Sequence, residues 1–155
     1  MATPVDISPA IIEALYQEAL GLADEARHAF DDPDRFAART FDSDATRIAL
    51  SCEALRTTTR MMHVIAWLLN HRAFHRHEMS ELALRRTGRL PPAQPESDPA
   101  QLAVLDPSRR ELVRRTRRFY ARVERLDCAW HDFYAMQPSA VHRLRERIGA
   151  SLQSR

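Results

Sequence analysis

Between positions 48 and 73, Ile48, Cys52, Leu55, Thr59, Met62, Ala66, Leu69 and Ala73 recur at a strict 4-3-4-3 spacing. A strand repeats every two residues and cannot carry that period. It is the repeat of helices packed side by side with a left-handed twist, here sustained for more than three heptads. With Ser43 or Asp44 as cap, the spacing predicts a helix over 44–76, a rod of about 45 Å, with those eight residues turned to the core. From Met61 to Leu69 only His63 is polar. Met61, Val64, Ile65, Trp67 and Leu68 therefore make the rod apolar nearly all round, and such a helix needs neighbours on more than one side. These five residues are the expected packing surface and the expected interface of a homodimer.

Two further helices follow from the same logic. Ser8-Pro9 is a cap followed by proline at the first helical position. Ile12, Leu15, Ala19, Leu22, Ala26 and Phe30 then step at three and four residues until Pro33, predicting a helix over 9–30. From Ser108, the residues Leu112, Thr116, Phe119, Val123, Leu126, Trp130 and Phe133 step 4-3-4-3-4-3, predicting a helix over 108–134 that Pro138 closes. Ser80 caps a short helix, Glu81–Thr87. Residues 88–107 collect Gly88 and five of the nine prolines, either a spacer or a functional segment. With only 3 glycines in 155 residues, barrels, sandwiches and Gly-rich nucleotide folds are disfavoured. The expectation is an all-α protein, an antiparallel three-helix bundle with a long Pro-rich connection between the second and third helices. Residues 1–137 form one domain. Residues 138–155 form a tail, helical through Val141, Leu144 and Ile148 or disordered.

Charge sets the next constraint. All 23 basic residues are arginine, against 21 acids; base composition explains this, or selection for bidentate contacts that lysine does not make. Eight arginines crowd 109–125, while residues 6–34 carry eight acids and one base. The first and third helices are thus expected to pair across their edges, with nucleic-acid binding by the arginine face as the alternative. Glu53, Arg56, Thr57 and Arg60 are expected on the outer face of the second helix. There Glu53, Arg56 and Arg60, joined by Arg122 of the third helix, are the candidate partner contacts.

No chemistry-bearing constellation completes itself. Cys52 and Cys128 stand in no zinc spacing, and Cys52 is expected as a small buried hydrophobe. His71 and His75 share a helical face without two further ligands, and are expected at a solvated helix end. Glu25 and His28 form a single Glu-x-x-His where a di-iron bundle needs two. No nucleophile matches a base and an orienting acid. The expectation is no enzyme, no metal and no cofactor. Met1–Ala10 lacks an apolar signal-peptide region, and the longest apolar run, Val64–Leu69, is too short to span a bilayer. The chain is expected to be cytoplasmic, with no membrane partner.

The run Glu53-Ala54-Leu55-Arg56-Thr57-Thr58-Thr59-Arg60-Met61-Met62, with Trp67-Leu68-Leu69, Arg72-Ala73 and Glu78-Met79-Ser80, resembles the central helix and following turn of the bacterial "regulator of CtrA degradation" family. Arg118-Phe119-Tyr120-Ala121-Arg122-Val123-Glu124-Arg125-Leu126-Asp127 is similar to that family's third helix. The likeness covers residues 45–130. Where the family's turn carries Gly, this chain has His77. The resemblance implies a three-helix bundle, commonly dimeric, acting as a non-enzymatic adaptor that helps deliver cell-cycle regulators to the ClpXP protease. Its implied partners are ClpX, a single-domain response regulator, a second-messenger-binding protein and the proteolysis substrate, with recruitment to a cell pole.

Overall fold

The computed structural model describes residues 7–31, 44–136 and 144. Among them five helices and no strand occur: α1 (Pro9–Asp31), α2 (Asp44–His75), α3 (Glu81–Thr87), α4 (Pro99–Ala103) and α5 (Pro107–Met136). The three long helices share one core, in which α1 packs chiefly on α2 and both meet α5. No described helix is long and apolar enough to cross a membrane. Pro138, Val141 and Ile148, on which the tail helix was expected, lie outside the described residues.

α1 forms as its spacing predicts. The Ser8 hydroxyl accepts from the Ile11 amide at 3.3 Å, and Ile12, Leu15, Ala19, Leu22 and Ala26 are buried. α5 buries Leu112, Thr116, Phe119, Val123 and Trp130 on its predicted seam. Its start differs from the expectation. The cap is Asp106, whose carboxylate accepts from the Arg109 amide at 3.1 Å, and Pro107 takes the first helical position, where a missing N–H costs nothing.

α2 buries the opposite face from the one its spacing predicts. Ile48, Leu55, Met62 and Leu69 are 60%, 68%, 64% and 45% exposed, while Leu50, Glu53, Thr57, Arg60, Val64, Trp67, Leu68 and His71 are buried. These interior residues obey a 4-3 spacing of their own, from 50 through 53, 57, 60, 64 and 67 to 71. Periodicity alone therefore allows either face, and the decision falls to the partners that the interior polar groups find. Met61, Val64, Trp67 and Leu68 are thus core of the chain itself, and Ile65 packs half-buried against them. They are not an open dimer surface. Cys52 is half-buried rather than interior.

The end of α2 keeps a left-handed cap without glycine. His77 stands at φ 60°, its amide donates to the Phe74 carbonyl at 3.0 Å, and the Glu78 amide reaches back to Ala73 at 2.9 Å. That bond pair is the Schellman arrangement that closes orphan carbonyls. Here a histidine accepts a conformation that glycine adopts freely.

Candidate partner-binding site

The Pro-rich connection is held against the body of the fold rather than spanning it loosely. Leu90 and Leu105 are buried. Ser80 caps α3 by accepting from the Ala83 amide at 3.2 Å, and Asp98 caps α4 by accepting from Ala100 at 2.8 Å. Between these anchors runs the non-helical segment 88–98. Close to its start the Tyr120 hydroxyl donates to the Pro91 carbonyl. Near its end the Ser97 hydroxyl, itself buried, straddles the Glu53 carboxylate, 2.8 Å from Oε2 and close to Oε1. Arg117 of α5 pairs with Glu96 at 3.4 Å. Pro92, Ala93, Pro95, Glu96 and Asp98 are left exposed between the anchor points.

Glu53 is the centre of this clamp. It is fully buried, and Arg56 on the same helix donates both to its Oε1 at 3.3 Å and to Gln101 of α4 at 3.1 Å. One turn further in, Arg60, 5% exposed, donates to the Thr116 hydroxyl at 2.9 Å. That hydroxyl in turn donates to the Val113 carbonyl. Burial lowers the pKa of Arg60 from its ordinary value, and the Glu53 carboxylate works against that shift. A buried charge survives only where it is paired and hydrogen-bonded; Glu53 is met by Arg56 and the Ser97 hydroxyl, and Arg60 by the Thr116 hydroxyl and the field of the Glu53 carboxylate.

The placement revises the expected outer face. Glu53, Thr57 and Arg60 point inward. Arg56 is only partly exposed, and its guanidinium is turned onto Glu53 and Gln101. Arg122 is partly exposed and pairs with Glu18 of α1. Ser97, Gln101, Thr116 and Tyr120 complete the clamp, and sequence reasoning missed all four. The one local signal was the seven-residue interval between Glu53 and Arg60, which puts an acid and a base on one helical face.

The arginine-rich stretch of α5 is largely engaged. Arg115 pairs with Glu25 and Arg122 with Glu18, both across to α1. Arg114 pairs with Glu111 and Arg117 with Glu96. Arg109 is buried, donating to the Ala29 carbonyl at 2.8 Å and pairing with Asp106. The expected pairing of acidic α1 with basic α5 is therefore present.

A second buried polar cluster lies at the other end of α2. The Trp67 indole donates to Asp127 at 2.7 Å. His71 stacks on Trp67 with ring centroids 3.9 Å apart and meets the edge of Trp130 at 5.4 Å. His71 is thus interior, not at a solvated helix end. Burial, with His75 and His131 nearby, lowers its pKa to about 4. Among the described residues no group of three or more His, Cys, Asp or Glu is placed to hold a metal ion.

No curated protein and no solved structure matches the chain. A family profile described as "Protein of unknown function (DUF1465)" matches residues 4–152. That match spans nearly the whole sequence, and the chain belongs to the DUF1465 family.

Proposed function

We propose that this protein is a non-enzymatic adaptor, built on an antiparallel three-helix bundle, that helps deliver cell-cycle regulatory proteins to the ClpXP protease. The observation that carries the reading is the clamped segment 88–98. It is an irregular stretch whose ends are pinned through Pro91 and Ser97 and whose intervening residues Pro92, Ala93, Pro95 and Glu96 face solvent. Binding residues concentrate on loops positioned by a rigid scaffold, and a loop fixed beforehand loses less entropy when a partner docks. The resemblance of residues 45–130 to the regulator of CtrA degradation family supports the same role. The mechanism is tethering: a substrate held beside the protease meets it at a raised effective concentration, with no bond made or broken by the adaptor.

In this reading Glu53 and Arg56 act behind the contact surface by fixing the loop, Arg60 ties α2 to α5 through Thr116, and Arg122 acts on the α1–α5 edge. ClpX, a single-domain response regulator and the delivered substrate are the partners, in the cytoplasm. The test is binding of purified ClpX, and of a single-domain response regulator, to the chain labelled at the exposed Cys128. Binding of either, lost when 92–96 are replaced by Gly and Ser, is the expected result. Absence of binding by both, or binding indifferent to the replacement, overturns the reading.

A further inference from the structure

Exposure along 89–98 repeats every third residue. Arg89, Pro92, Pro95 and Asp98 are all exposed, while Pro91 and Gln94 are half-buried and Ser97 is buried. In the third row Leu90 is buried, and Ala93 and Glu96 are exposed. A strand alternates every two residues and an α-helix every 3.6, so neither carries this period. A 3₁₀ helix does, but it closes each turn with a hydrogen bond. Among the described residues no backbone hydrogen bond lies within 89–97. Three residues per turn without internal hydrogen bonds is the polyproline II helix. The sequence imposes the same form. Pro91, Pro92 and Pro95 hold φ at about −65°, and Leu90, Pro91, Gln94 and Asp98, each preceding a proline, are kept to extended angles. Asp98 stands at φ −59° and ψ 126°.

We propose that residues 89–96 are a preformed polyproline II ligand, taken by a partner protein through a groove lined with aromatic side chains. The groove receives the Pro92 and Pro95 rings and carries an acidic side chain opposite Arg89. The inference rests on the reading of 88–98 as the partner-contact segment, and not on which protein the partner is. Pro92 and Pro95 are one turn apart on the outward row, about 9 Å, the spacing that successive aromatic pockets read in Pro-x-x-Pro ligands. Arg89 lies one turn further back on the same row. Its charge makes the ridge asymmetric and fixes the direction in which it lies in the groove.

The inward row is already engaged and cannot compete for the partner. The Pro91 carbonyl accepts from Tyr120, and the Ser97 hydroxyl is bound to Glu53. Glu96 is paired with Arg117, so its charge does not oppose an acidic groove. Both anchors hold the ridge extended before any encounter, and a ligand ordered beforehand loses less entropy on binding.

The test has two arms, both on the full chain. In the first, three-bond amide–Hα couplings and Cα shifts of Arg89, Ala93, Gln94 and Glu96 should report polyproline II angles. In the second, the chain is titrated against purified SH3, WW and EVH1 domains, whose aromatic grooves bind such helices. Binding to at least one is expected. Pro92→Ala with Pro95→Ala should weaken it at least about tenfold, and so should Arg89→Glu, which leaves every proline and both anchors in place. Leu82→Glu, at an exposed position on α3, should leave it unchanged. Binding of this kind without binding of ClpX or a response regulator keeps the inference and ends the adaptor reading. Binding of ClpX or a response regulator that is lost on Gly and Ser replacement of 92–96, yet indifferent to these three ridge substitutions, keeps the adaptor reading and overturns the inference. Couplings of a turn, or no binding by any of the three domain types, also overturn it.

Discussion

Replacing Glu53 by alanine should be the most damaging single change on the polar side of α2. The carboxylate is fully buried and receives Ser97 and Arg56 directly. Its field also offsets the burial of Arg60, which donates to Thr116. Removing one member of a buried charged set typically costs about 3–5 kcal/mol, because the charges left behind are uncompensated. Arg56 is partly open and regains water, so about 3 kcal/mol is expected for Glu53→Ala. Glu53→Gln keeps the volume and an acceptor, and should cost about 1–2 kcal/mol. Ser97→Ala alone should cost about 1 kcal/mol. The double variant should fall short of the sum by more than about 0.5 kcal/mol, since the two residues share one interaction. Urea unfolding followed by the fluorescence of Trp67 and Trp130 reads these values. Amide exchange across 90–98 should accelerate in Glu53→Ala before global unfolding sets in. A loss below about 1 kcal/mol for Glu53→Ala, or strict additivity with Ser97→Ala, would refute the clamp.

Three further outcomes follow from particular residues. Burial keeps His71 neutral when folded and lowers its pKa to about 4. Protonation therefore favours the unfolded chain: its contribution is complete above about 6.5 and declines as pH falls toward 4. At pH 5 the loss is about 2 kcal/mol, measured as a shift in urea midpoint from pH 7.5; a His71→Phe variant with the same pH dependence would contradict the assignment. His77→Gly should stabilise the end of α2 by about 1 kcal/mol by relieving a left-handed non-glycine residue, and a lower melting temperature would count against it. The Thr57 hydroxyl is buried with no hydrogen-bond partner among the described residues. Thr57→Val should accordingly be neutral or stabilising by up to about 1 kcal/mol, and a clear loss of stability would reveal an interaction the structure does not show.

Much of the architecture was legible because α1 and α5 each carry one apolar stripe against polar flanks, so the 3.6-residue period points at a single buried face. α2 is different. Two 4-3 runs lie on opposite sides of it, and the more apolar run, Ile48 through Ala73, is the outer one. The interior run contains Glu53, Thr57, Arg60 and His71, which sequence rules turn outward because charged and polar side chains are seldom buried alone. Their partners lie far along the chain. Ser97 is 44 residues from Glu53, and Thr116 is 56 residues from Arg60. No local pattern announces such pairs. The order of 88–98 was hidden for the same reason. Its prolines announce the absence of helix, while its fixation depends on Tyr120 and Glu53 reaching it from two different helices. The cap at His77 shows the converse case, a backbone conformation kept where the residue that usually marks it is missing.

Capture of binding proteins from nuclease-treated lysate, with the native chain and with a variant whose residues 92–96 are Gly and Ser, addresses the adaptor role most directly. The account predicts that the native chain recovers ClpX or a single-domain response regulator, and that the variant, folded and helical, loses it. Recovery of neither protein, or equal recovery by both chains, would contradict the account.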